Sequence, residues 1–253
     1  MFAVLHIILI IGCLIARFLV IDHLDFSAAP EEFAPVIALL IVVLTMLFSA
    51  ISFGCCIMYA VRFYKNLFTD EGYITWTLPA SPLTQLWAKI LSASIWYVLD
   101  LTICFAAAWF LISGDNIQSA LERIKPDFQA ALGMSFSSFC GLVVFFSFVG
   151  ILSCVLFIYT SIAIGQLVPA HRIIVSIAVY FILNLITQII SIGVSIITSV
   201  FPDYVFSPAQ TSFSEYFFQM LLIGTCTTTV LAIAGYFITY RLSLIHISEP
   251  TRP

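Results

Sequence analysis

Asp100 lies inside the apolar run "SIWYVLDLTICFAAAWFLI", where an ionised carboxylate is expensive unless it meets a partner or a wet path. An acid in that setting can carry a proton or a cation, or it can hold neighbouring helices together. Arg17 is its one obvious basic partner in the sequence, and no second acid or lysine accompanies it to form a relay. A second pattern comprises Tyr180, Asn184, Gln188, Ser191 and Ser195, spaced 4, 4, 3 and 4 along one helical face. Such a stripe gains nothing from lipid, so it faces other helices or a cavity. It serves either as a lining for a substrate path or as glue between helices. Thr225, Thr228 and Thr229 form a weaker version, because threonine can bond its own helix. A third pattern, "TDEGYITWTLPASP", gathers Asp70, Glu71, Gly72, Tyr73, Trp76, Pro79, Ser81 and Pro82 between two apolar runs. Acids, a glycine turn and aromatics together suit contact with a partner in water.

Other chemistry is missing from the sequence. The seven cysteines, Cys13, Cys55, Cys56, Cys104, Cys140, Cys154 and Cys226, all fall in apolar stretches without a C-x-x-C pair. They read as small apolar fillers, and no metal site is expected. Gln166 and His171 read as solvated rim residues. No G-x-x-x-x-G-K-[ST] occurs, so the chain has no such cradle for nucleotide phosphates. We expect no enzyme activity and no cofactor in this chain.

The elements that must position these residues follow from composition. The chain is 62% hydrophobic and 9% charged over 253 residues, with a mean hydropathy of +1.14. Soluble domains are about a quarter charged, so lipid is the solvent for most of this chain. A net charge of −4 without a basic run gives no sign of nucleic acid. Six runs reach the roughly 20 residues that a helix needs to cross a bilayer core: 2–21, 35–61, 90–112, 136–168, 173–200 and 217–240. Lipid forces backbone groups to bond internally, which selects helices. The expected fold is therefore an all-α, polytopic membrane protein with about six transmembrane helices. The first run lacks a basic leader, so it is taken as a membrane helix and not as a signal peptide.

Basic residues set the expected orientation. Arg62, Lys65, Lys89, Arg172 and Arg241 favour one side, against Arg123 and Lys125 on the other. Both termini and the 70–89 segment are then cytoplasmic. Within that segment Ser81 supplies a cap and Pro82 a first helical residue. Leu83, Leu86, Trp87, Ile90 and Leu91 follow at helical spacing. This spacing predicts a short cytoplasmic amphipathic helix that docks on a partner or lies at the membrane surface.

The stretch "RFYKNLFTDEGYITWTLPASP", leading to "LWAKILSASIW", resembles a segment of bacterial ABC exporter permeases of the second type. "SIAIGQLVPAHR" and "YFITYR" resemble further parts of the same pattern. The resemblance implies a six-span exporter subunit in the bacterial cytoplasmic membrane. It also implies a second permease copy or homologue, and a separate ABC ATPase that binds the ATP and docks on the 70–89 loop, the family's coupling helix. Two other classes stay open: a secondary, ion- or proton-coupled transporter using Asp100, and a non-transporting membrane anchor or sensor. The last residues, "LSLIHISEPTRP" (242–253), resemble a translated sequencing-library adapter and are expected to be non-native and irregular, outside a 1–241 permease domain.

Overall fold

A computed structural model describes residues 2–24, 30–69, 79–206 and 212–248. The helices are α1 (Phe2–Ile15), α2 (Pro30–Phe68), α3 (Pro82–Ile112), α4 (Asp115–Leu132), α5 (Phe136–Gly165), α6 (Arg172–Ile197), α7 (Val200–Phe206) and α8 (Phe213–Ser248). A π-helical turn (Ala16–Val20) and a 3-10 turn (Ile21–His23) extend α1. The described residues are all-α, and six helices are long and apolar enough to cross a membrane: Phe2–His23, Pro35–Phe68, Pro82–Ile112, Phe136–Gly165, Arg172–Ile197 and Phe213–Leu242. The protein is a polytopic membrane protein.

Three elements differ from the sequence reading. Pro82–Lys89 is not a separate short helix but the first two turns of α3, which runs for 31 residues. No glycine or proline interrupts "LTQLWAKILSAS", so the backbone ladder propagates once nucleated. Ser81 does cap it: the Thr84 amide donates to Ser81 Oγ at 3.2 Å. The adapter-like tail does not begin an irregular segment at Leu242, because α8 continues to Ser248. Its residues up to Ser248 contain no breaker, while Pro250 and its neighbours lie outside the described residues. Finally, α4 was not foreseen. Its apolar residues Ile117, Leu121, Ile124 and Phe128 recur at i, i+4, i+7 and i+11, and five charged residues occupy the remaining surface.

The chain divides into two compact units, Met1–Tyr59 with Ile95–Ala130, and Ala60–Ser94 with Ala131–Pro253. In the first, Leu9, Cys13 and Ala16 of α1 join Ile51 of α2 and Cys104, Ala107 and Leu111 of α3 in one buried cluster. A side-chain carbon on Gly12 would meet the Leu47 Cδ2 methyl at 2.7 Å, so glycine leaves room for that side chain between α1 and α2. In the second unit α5, α6 and α8 pack pairwise. The buried Thr160 of α5 accepts a hydrogen bond from Thr239 of α8 at 3.1 Å.

Candidate functional site

The first unit holds a polar cluster inside its apolar core. Asp100 of α3 is only 1% exposed. Its partner is His6 of α1, whose Nε2 lies 2.8 Å from Asp100 Oδ1. Arg17 is engaged elsewhere: it donates to the Phe110 carbonyl and to Ser113 Oγ. Its guanidinium also lies over the Phe110 ring at 4.6 Å and 3.8 Å from Asp22. The helical register explains the exchange. Arg17 and Phe110 both stand near one end of their helices, whereas His6 is three turns back along α1, level with Asp100.

Hydrogen-bond chemistry fixes the proton count of this pair. His6 Nδ1 lies 2.9 Å from the Phe2 carbonyl, which can only accept, so Nδ1 carries a proton. One further proton then lies between Nε2 and Oδ1. The pair is either imidazolium with carboxylate or imidazole with carboxylic acid, and both forms are neutral overall. Ser52 of α2 donates to Asp100 Oδ2 at 3.2 Å. Three helices therefore meet at one carboxyl group. A charge-neutral, hydrogen-bonded arrangement is what makes a buried acid tolerable in an apolar interior.

Cys55, one turn beyond Ser52 on α2, completes the cluster. His6, Cys55 and Asp100 are all buried, and one ligand atom from each lies within 4.8 Å of the others. The sequence reading took Cys55 as filler and passed over His6, the single polar residue in "FAVLHIILI". A signal was present for His6 and Ser52, which interrupt apolar runs, but not for Cys55, which continues one. Their convergence across a separation of 94 residues is tertiary information.

In the second unit the stripe on α6 is only partly inward. Ser191 and Ser195 are buried and Asn184 is half-buried, but Gln188 is exposed and Thr187 occupies the buried position instead. Asn184 Nδ2 donates to the Tyr180 carbonyl and Ser195 Oγ to the Ile192 carbonyl, each at 2.8 Å. Thr228 and Thr229 likewise donate to Gly224 and Thr225 carbonyls of their own helix. With Gly150 and Ser153 of α5, these four α8 residues line a cavity of about 240 Å³. Gln166 is buried and not a solvated rim residue: its Nε2 donates to the Ile162 carbonyl at 3.2 Å.

Of the docking residues, Asp70, Glu71, Gly72, Tyr73 and Trp76 lie outside the described residues. Pro79 and Ser81 are exposed and Pro82 is half-buried. The stripe that follows splits: Leu86 and Ile90 are buried, while Leu83, Trp87 and Leu91 are exposed. The start of α3 is fixed within its unit by Tyr159, which donates to the Lys89 carbonyl at 3.1 Å and stacks on Phe63 at 3.6 Å. No protein-family model, curated protein or solved structure matches this chain.

Proposed function

We propose that this chain is the membrane-spanning permease subunit of an ATP-binding-cassette exporter in a bacterial cytoplasmic membrane. A separate cytoplasmic ATPase supplies the energy, and a second permease copy or homologue completes the pathway. The observation that carries the reading is the sequence of the Arg62–Ile90 segment, polar and aromatic residues placed between two membrane-crossing helices. At 1.5 Å per residue the 31 residues of α3 extend about 46 Å, well beyond the roughly 30 Å hydrocarbon core. A partner seated near Ser81 then acts on a continuous rod. Arg62 and Lys65 are exposed at the end of α2, where each basic residue near an anionic inner surface contributes about 1 kcal/mol.

The test is co-expression with candidate ATP-binding-cassette ATPases from the same genome, beginning with any that neighbours this gene, followed by co-purification and transport in vesicles. Glu71→Lys and Trp76→Ala are expected to uncouple ATP hydrolysis from transport while leaving the permease inserted. Normal binding and normal transport in both variants would refute the docking role.

The His6–Asp100 pair favours a second reading, a secondary transporter driven by an ion or proton gradient. Asp100→Asn separates the two. It retains ATP-driven transport under the exporter reading and abolishes gradient-driven transport under the other.

A further inference from the structure

We propose that His6, Cys55 and Asp100 form a binding site for one divalent transition-metal ion of the zinc type, independent of the transport reading. The donor set comes first. An imidazole nitrogen, a thiolate sulfur and a carboxylate oxygen are the three protein ligands that zinc takes, and borderline-soft ions prefer such mixed sets over magnesium or calcium. The three candidate ligand atoms lie within 4.8 Å of one another and all three residues are buried. Around a tetrahedral ion with bonds of about 2.0–2.3 Å, ligand atoms stand under 4 Å apart, so small side-chain movements close the site.

The second argument is the orientation of His6. Metal-ligating histidines donate their other ring N–H to a carbonyl or carboxylate, which fixes the tautomer. His6 Nδ1 already does this to the Phe2 carbonyl at 2.9 Å, which leaves Nε2 facing Asp100 and Cys55. Ser52 holds the far oxygen of Asp100 in the same way at 3.2 Å.

Charge gives the third argument. Without an ion the cluster carries a protonated thiol and one proton shared by Nε2 and Oδ1, for a net charge of zero. A divalent ion displaces both protons and binds one thiolate, one carboxylate and one neutral imidazole. Two positive charges meet two negative ones, so the cluster stays neutral in an apolar core where any net charge is costly. Tyr59, one turn beyond Cys55 and 4% exposed, holds its hydroxyl beside the Cys55 thiol. A water in the fourth coordination position would give that hydroxyl a further partner. Besides Tyr59, the titratable groups around the cluster are Tyr97, Cys13 and Cys104.

Cobalt(II) is the probe, titrated into the purified full-length chain in detergent after chelator treatment. One ion per chain is expected, with a thiolate-to-cobalt charge-transfer band, tetrahedral ligand-field bands and displacement by zinc. Calorimetry in buffers of different ionisation enthalpy should show two protons released per zinc ion. Cys55→Ser should abolish the charge-transfer band and weaken zinc binding by more than the roughly 10- to 100-fold that loss of a supporting hydrogen bond costs. Cys140→Ser, on α5, should change neither. If Cys55→Ser fails to fold, Asp100→Asn decides: proton release should fall from two to one as its carboxylate is lost. A wild-type spectrum without a thiolate band overturns the site. So does a band that survives Cys55→Ser, or proton release unchanged in Asp100→Asn.

Discussion

Asp100 is a residue whose cost is set by its partners. In the metal-free protein one proton serves both Asp100 and His6, and Ser52 occupies the remaining carboxyl oxygen. Asparagine at position 100 can keep both contacts, donating to His6 Nε2 and accepting from Ser52. Asp100→Asn is therefore expected to cost about 1 kcal/mol or less. His6→Leu fills the same space but leaves the carboxyl group buried with one partner gone, for a loss of about 3 kcal/mol or more. Thermal unfolding of the two variants in detergent with chelator present checks the order. Equal losses would mean that the pair is not the reason Asp100 is tolerated. The acid itself was legible in the sequence because a charge in an apolar run is conspicuous. Its partner was not: Arg17 is the stronger base, but which α1 residue stands level with Asp100 depends on how the helices are packed.

At the scale of elements, the consequential finding is that α3 has no joint between its capped start and its membrane-crossing part. The cap was readable because Ser-Pro is a local signal, and the Ser81 hydroxyl does receive the Thr84 amide. The missing joint was not readable from pattern, because a change from mixed to apolar composition alters the solvent of a helix without breaking its backbone ladder. Ser81→Ala is expected to cost about 1 kcal/mol through loss of the cap alone. Ala88→Pro removes a backbone bond and costs about 3 kcal/mol or more. Under the proposed exporter reading, the partner ATPase should still hydrolyse ATP with the proline variant while transport falls, whereas Ser81→Ala remains coupled. Full coupling in a folded Ala88→Pro protein would show that α3 does not transmit force. The helix α4 escaped notice for the converse reason. Glu122, Arg123, Lys125, Pro126 and Asp127 dominate its composition and obscure the helical spacing of Ile117, Leu121, Ile124 and Phe128.

For the molecule as a whole, α2 and α3 run seven and eight residues beyond the ends read from sequence, to Phe68 and from Pro82. The presence of six spans was legible, because bilayer thickness imposes a minimum length and an apolar composition that few other constraints mimic. Packing within the second unit was not, since lipid tails are as apolar as leucine and nothing drives these helices together by burial alone. What remains is close approach between small residues. A side-chain carbon at Gly235 of α8 would lie 2.5 Å from Thr160 Oγ1 and would force the two helices apart. The same approach lets the Thr239 hydroxyl reach Thr160 at 3.1 Å. These two contributions differ in size. An interhelical hydrogen bond in a membrane is worth about 0.6 kcal/mol on average, whereas overpacking a tight interface costs about 1–3 kcal/mol and sometimes more. Thr160→Val, which keeps shape and removes the hydroxyl, is expected to lower stability only slightly. Gly235→Leu is expected to lower it several-fold more. Unfolding in mixed micelles provides the comparison. If Thr160→Val were the more damaging change, hydrogen bonding and not close approach would hold α5 to α8.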